Sequence, residues 1–291
     1  MSTRHYGEVL EPVGEDIETG GTSRSSVSRH FVRRTQAEVD AFLRRPLEGL
    51  DLPALILDGI EFAGHVLTVA LGVDVEGRKH VLGLREGSSE NAEVCTALLA
   101  ELVERGLEPG RWRLVVMDGS KALARAVRSV LGKAALIQRC QLHKVRNVLG
   151  HLPEGKHALV RTAMREAYRC GDAELARTKL LALAARLRRE HPGAAASLRE
   201  GLEETLTVLR LGLPELLRRS LATTNAVESL FSGVRRIVRN VKRWRDGSMA
   251  VRWAGAGAIE ASRKFKRLKG HRSMPLLVEA LRRQAAQTNA A

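Results

Sequence analysis

The chain has 291 residues and is 44% hydrophobic, enough for a sizeable core in one large domain or two. Its 48 Lys+Arg against 33 Asp+Glu give a net charge of +15 and favour a polyanionic partner, because neutralised phosphates release counterions. Three scattered cysteines exclude a disulfide framework, and the absence of a long apolar run excludes a membrane span, so a soluble cytoplasmic (nucleoid-associated) protein is expected, with no membrane partner.

Residues 1–26 read as a polar arm, and 27–48 as a short amphipathic helix with Val32, Val39 and Leu43 on one face, packing beside the first strand. From Pro53 the pattern becomes strand-like: PALILDG, HVLTVALGVDVEG and KHVLGLREG predict an antiparallel meander, with Glu76-Gly77 turning the second strand into the third. A helix over 90–106 follows, stopped by Gly106, then a buried strand at 112–119, a helix at 121–131 and a short strand at 134–140. After His143 the strand signals cease. Residues 151–220 read as an all-α insertion, with Ala176, Leu180, Leu183, Ala184 and Leu187 as one apolar stripe. The predicted organisation is an arm and helix (1–48), an α/β core (49–150), the insertion (151–220) and C-terminal basic helices (221–291).

The order βββαβαβ is that of the ribonuclease-H-like fold, a mixed five-stranded sheet with flanking helices whose first and fourth strands lie side by side at the centre. Two apolar runs end alike, LILDG at Asp58 and VVMDG at Asp118, and each is expected to set a carboxylate at the C-terminal end of a buried strand, where α/β sheets bind ligands. Asp-Gly is also a good turn sequence, but two occurrences in one sheet favour chemistry. Adjacent carboxylates suit Mg²⁺ or Mn²⁺, and enzymes of this fold hold two such ions roughly 3.5–4 Å apart.

Glu166, Glu174, Glu190, Glu200, Glu203, Glu204, Glu215 and Glu228 are candidates for a third ligand. Glu228 follows Thr223-Thr224-Asn225 at the start of a helix whose continuation carries Arg235, Arg236, Arg239, Lys242, Arg243 and Arg245, so one basic helix over 235–245 would present a ligand and track a DNA backbone. Its rival role is a capping box with Asn225 as N-cap. Cys140 and His143 form a C-x-x-H pair, half of a zinc site if Cys170 and His191 completed it. Residues 233–272 hold 13 Lys+Arg and 2 Asp+Glu, so +11 of the +15 is concentrated there. Trp244, Trp253 and Phe265 lie in that run, as base-stacking platforms or as anchors to the core. No phosphate-cradling loop or nucleophile elbow occurs, which removes nucleotide hydrolysis and acyl transfer and leaves no small-molecule cofactor.

LDGIEFAGHVLTVALGVDVEGRKHVLGLREGSSEN, LVERGL, VVMDGSKALARAV, QRCQLHKVRNVLGHLP, HPGAAASLREGLEETLTVLRL and TTNAVESL, in this order, resemble the Mutator-type bacterial insertion-sequence transposases, a group of DDE recombinases. The resemblance implies Asp58, Asp118 and Glu228 as catalytic metal ligands and Cys140, His143 and Asn225 as support for the site. It implies 3′-end cleavage and strand transfer by phosphoryl transfer on DNA, with transposon ends and target DNA as partners and a homodimer or higher oligomer by analogy. Members of the family carry a longer N-terminal region with a helix-turn-helix, of which SRSSVSRHF is similar to the tail. A catalytically silent DNA-binding remnant and a ribonuclease-H-like nuclease are the alternatives.

Overall fold

In the computed structural model, residues 24–88, 90–241 and 243–289 are described, so the polar arm expected over 1–26 lies outside them except for 24–26, which are helical instead. A mixed sheet of five strands is flanked by helices on both faces. The strands are β1 (Ala54–Phe62), β2 (His65–Val73), β3 (Lys79–Glu86), β4 (Arg113–Met117) and β5 (Ala135–Arg139), in the spatial order β3-β2-β1-β4-β5. β1, β2 and β3 form the antiparallel meander, and β4 and β5 add parallel to β1. The first and fourth strands are therefore neighbours at the centre.

The β1–β2 turn is two residues, Ala63 and Gly64, both with positive φ (57° and 79°), the geometry whose twist matches the flanking strands. Turn and register extend β1 beyond its expected end. It continues through Gly59 to Phe62, and Asp58 pairs with Val69 in mid-strand. Asp58 is at a strand end on the β4 side alone, where the parallel pairing stops at Leu57 opposite Met117. The β2–β3 turn falls at the expected place, with Gly77 at φ 74° and the Asp74 side chain accepting from the Glu76 and Arg78 amides.

Alternation along the central strands divides the core. Leu55, Leu57, Ala70, Leu82, Val115 and Met117 pack against α2 (Ala92–Glu104) and α3 (Lys121–Leu131). Ala54, Ile56, Ile60, Phe62, Leu114 and Val116 face the other way, in one cluster with residues of α4 (Gln141–Leu149), α10 (Asn225–Ile237) and α11 (Gly247–Ser262). Both clusters are mostly aliphatic.

α1 (Arg24–Arg44) forms, but it packs against α11 and the outer strand β3 instead of β1. Val39 is buried there, whereas Val32 is exposed. The reason lies in the sheet: both flanks of β1 are occupied by β2 and β4, and its face by α10.

The helical stretch expected over 151–220 holds α5 (Glu154–Arg169), α6 (Ala173–Leu187), α7 (Pro192–Arg199), α8 (Thr207–Arg210) and α9 (Glu215–Leu221). The α6 stripe Ala176, Leu180, Leu183, Ala184 and Leu187 is buried as expected. Its residues 200–208 cover the free edge of β5: Thr207 Oγ1 donates to the Ile137 carbonyl at 2.7 Å, and Gln138 accepts from the Val208 amide and donates to the Thr205 carbonyl. An exposed strand edge is thereby satisfied by side-chain bonds.

Candidate active site

The period of two along a strand places the site. Asp58 shares the parity of Ile56 and Ile60, and Asp118 that of Leu114 and Val116, so both belong to the sheet face covered by α4 and α10. Asp58 is 2% exposed. Its Oδ1 accepts from the Gly59 amide at 3.1 Å, while Oδ2 is buried without a hydrogen-bond partner. Asp118 is half-buried just past β4 and accepts from the Ser120 amide at 3.0 Å, in the turn that Ser120 ends by capping α3. Burial pushes the Asp58 carboxyl up to about 6; His143 and a hydrogen bond from Thr224 pull it down, and Asp118 and Glu228 push it further up. Both of the other predicted carboxylates thus act on Asp58.

The last strand delivers the next elements. The Cys140 amide donates to the Met117 carbonyl at the end of β4, and the Gln141 amide donates to the Ala222 carbonyl, which brings the start of α10 beside the start of α4. Thr224 is consequently buried, with its hydroxyl 3.6 Å from Cys140 Sγ. His143 sits in the first turn of α4, its Nδ1 buried. A hydrogen bond with Cys140 raises the imidazole to about 9, burial opposes this, and the charges of Cys140, Asp58 and Asp118 add to the rise. Burial pushes the Cys140 thiol up, but the hydrogen bonds and charge of His143 outweigh it and leave the thiol below its ordinary value. Cys140 and the two aspartates thus favour the protonated form of His143.

Two expectations about α10 change. The N-cap is Thr224 and makes no side-chain cap bond; Asn225 is the first helical residue and is exposed. The capping box is not formed, and Glu228 Oε1 instead accepts from Arg146 of α4 at 3.2 Å. The helix also ends at Ile237, so Arg239, Arg243 and Arg245 lie in a non-helical segment, and Lys242 falls outside the described residues. Arg235, Arg236, Arg239, Arg243 and Arg245 are all exposed. Arg235 fixes the end of the helix by donating to the Glu61 carbonyl at 2.7 Å.

The aromatic residues of the basic run are anchors in two cases. Trp244 packs edge-on against Phe62, ring centroids 5.3 Å apart, and Trp253 lies 5.7 Å from Phe31 of α1. Phe265 is half-buried beneath the Lys79 ammonium.

Among the described residues, no three His, Cys, Asp or Glu side chains stand close enough to share a metal ion as they are placed. This removes a zinc site built from Cys140, His143, Cys170 and His191. For the carboxylates the reason is visible: Asp58 and Asp118 converge, while Glu228 is held by Arg146. In kind the set fits a hard divalent cation. A buried, unpartnered carboxylate oxygen beside two further carboxylates offers oxygen donors whose mutual repulsion such an ion relieves. Thr224 and Arg146 escaped the sequence reading. The Thr-Thr-Asn context drew attention to Asn225, and nothing in local spacing ties residue 146 to residue 228.

Comparison with known proteins gives a consistent answer. The profile of the family described as Transposase, Mutator family matches residues 1–267. The transposase for insertion sequence element IS6120 of Mycolicibacterium smegmatis is 32% identical over 221 residues, covering 74% of this chain and 67% of that protein. The probable transposase for an insertion sequence element of Corynebacterium diphtheriae is 30% identical, over 74% of this chain and 62% of its own length. The transposase for IS1081 of Mycobacterium tuberculosis is 29% identical over 99% of this chain and 68% of its own. The chain thus spans about two thirds of the length of these relatives.

Proposed function

The chain belongs to the Mutator family of transposases, and from that premise we propose that it is the catalytic part of a DNA transposase with a ribonuclease-H-like core, acting by metal-dependent phosphoryl transfer. The observation that carries this reading is the placement of Asp58 and Asp118 immediately beyond the last paired residues, Leu57 and Met117, of two adjacent parallel strands, Asp58 being buried with an unpartnered oxygen and subject to the charge of Glu228 on α10. The strand order β3-β2-β1-β4-β5, antiparallel then parallel, supports the fold assignment.

Asp58 and Asp118 would hold two Mg²⁺ or Mn²⁺ ions between them, and Glu228, once released from Arg146, would complete one coordination sphere. Bound ions supply an activated attacking oxygen and stabilise the leaving oxygen of a phosphodiester. His143 keeps a positive charge behind the carboxylates, which favours their ionised, ligating form. Thr224 and Cys140 fix that imidazole and the inner carboxyl against each other. Arg236, exposed in the last turn of α10, and Arg239, Arg243 and Arg245, exposed just beyond it, would neutralise backbone phosphates of DNA led toward the carboxylates. The substrate would be the ends of an insertion sequence and then target DNA.

Strand transfer with pre-cleaved transposon ends tests the reading. Asp58→Asn and Asp118→Asn should each abolish Mg²⁺-dependent joining while DNA binding persists. Joining retained by either variant would refute the assignment, and wild-type binding without joining would favour a silent DNA-binding remnant.

A further inference from the structure

The fold gathers a second cationic site that does not involve the carboxylates. The last turn of α1, the start of β3 and the segment after α11 enclose a cavity of about 440 Å³. Arg45, Arg78, Lys79 and Arg267 line it, together with the rings of Phe42 and Phe265, and no Asp or Glu does. Three stretches far apart in sequence supply these residues, so the site is absent from any one-dimensional view of the charge. It lies at the outer strand, at the end of the sheet where β1 begins.

The walls are fixed. The Leu268 amide donates to the Gly77 carbonyl at 2.8 Å, and a side chain at Gly77 would collide with His271, so the β2–β3 turn and the segment after α11 are clamped together. Arg45 donates to the carbonyls of Phe42 at 2.5 Å and Val81 at 2.6 Å, with its guanidinium 4.2 Å from the Phe42 ring centroid. Lys79 Nζ stands 4.9 Å from the centroid of Phe265.

These cations are also uncompensated. None of Arg45, Arg78, Lys79 and Arg267 pairs with a carboxylate among the described residues, whereas the neighbouring acid Asp74 is occupied by His80 at 2.9 Å. Burial lowers both Arg45 and Lys79 below their ordinary values. Arg78 and Arg267 stand exposed beside these two partly desolvated cations, and such a concentration of like charge without a counter-charge favours an anion. Aromatic rings beside it add faces on which an unpaired base stacks, and this combination distinguishes strand binding from capture of a lone phosphate.

We propose that this cavity binds an unpaired DNA strand, with Arg45, Arg78, Lys79 and Arg267 on its phosphates and Phe265 against a base, as an anchoring site separate from the carboxylate centre. The inference rests on the DNA reading of the chain only for the identity of the polyanion. Its test needs no chemistry, so it can fail or succeed independently of strand transfer.

Anisotropy of a short fluorescein-labelled single strand of mixed sequence is measured against salt, in metal-free buffer, with the full chain. The variant Arg78→Gln/Lys79→Gln/Arg267→Gln removes three charges that make no ion pairs among the described residues, so its melting temperature should not fall below wild type. Its affinity should fall at least roughly tenfold near physiological salt, and the slope of log K against log salt should drop by about two, the value for three single-strand phosphate contacts. Phe265→Leu should weaken the single strand while leaving the salt slope unchanged. A control triple on the insertion, Arg165→Gln/Arg186→Gln/Arg189→Gln, removes the same net charge. An equal loss in that control, or loss for a duplex with the single strand still bound, would overturn the proposal.

Discussion

Arg146 of α4 donates to Glu228 of α10 at 3.2 Å. Both side chains are well exposed, 55% and 37%, so the pair contributes under about 1 kcal/mol to stability. Its consequence is positional: on the reading proposed above, it restrains the glutamate that would complete the site. Arg146→Ala should leave the melting temperature unchanged and lower the Mg²⁺ concentration for half-maximal strand transfer, because Glu228 no longer has to exchange a guanidinium for a cation. An unchanged metal titration would show that the pair does not restrain Glu228.

Asp58 makes the metal-free protein sensitive to pH. A carboxyl whose pKa rises from 3.8 to about 6 on folding binds more protons in the folded state, chiefly through burial. Its contribution to stability is greatest when protonated and is lost as pH rises from about 4 to about 6. The cost above that window is at most about 3 kcal/mol, from about two pKa units at 1.36 kcal/mol each. Asp58→Asn should therefore melt higher than wild type at neutral pH, with the difference closing toward pH about 4 and narrowing when Mg²⁺ is added. Thermal melts across pH test this, and a variant less stable at neutral pH contradicts the assignment of Asp58 as an unrelieved buried charge.

Thr224 offers a separate check on the inner carboxyl. Its hydroxyl holds Asp58 down against burial and lies 3.6 Å from Cys140 Sγ. Thr224→Val keeps the shape and removes the donor. The acid limb of the pH–rate profile should move to higher pH, and the protein should lose about 1 kcal/mol or somewhat more from the buried bond. Steady-state strand transfer across pH reads the first effect. A lower rate with an unshifted acid limb would leave Thr224 a packing residue only.

The sheet was legible because its strands are short apolar runs closed by Gly and charge, and the β1–β4 adjacency follows from their order. Asp58 looked like a strand terminus because Gly59 and Glu61 interrupt the hydrophobic run. The residues that continue the strand, Ile60 and Phe62, are apolar on one face only, as befits a segment that β4 no longer flanks. The end of α10 was hidden for a comparable reason. Arg235, Arg236, Arg239 and Arg243 are good helix formers, but Val238 and Val241 turn into the core and break the helical path. Likewise, the Glu228 pairing depends on α4 and α10 meeting, and that meeting is set by the Gln141–Ala222 bond, not by any local pattern.

Gln138 is where the insertion depends on the sheet. Its side chain is fully buried on the edge strand β5; it donates to the Thr205 carbonyl at 3.0 Å and the Arg139 carbonyl at 2.6 Å, and accepts from the Val208 amide at 2.9 Å. Gln138→Leu conserves volume but removes the partner of one buried amide, that of Val208, and of two carbonyls, those of Thr205 and Arg139, each costing about 1–3 kcal/mol when left unmade. Gln141, which also donates to the Thr205 carbonyl at 2.9 Å, retains that one, so a net loss of about 2–6 kcal/mol is expected from the other two. Because Arg139 and Lys144 anchor the adjoining Glu200 carbonyl independently, the insertion should stay attached. Hydrogen exchange should then quicken over 203–210 and along β5 while α6 keeps its protection. Uniform loss of protection across α5 to α9 would mean instead that Gln138 holds the whole insertion, and unchanged exchange at 203–210 would mean that the edge is held by packing.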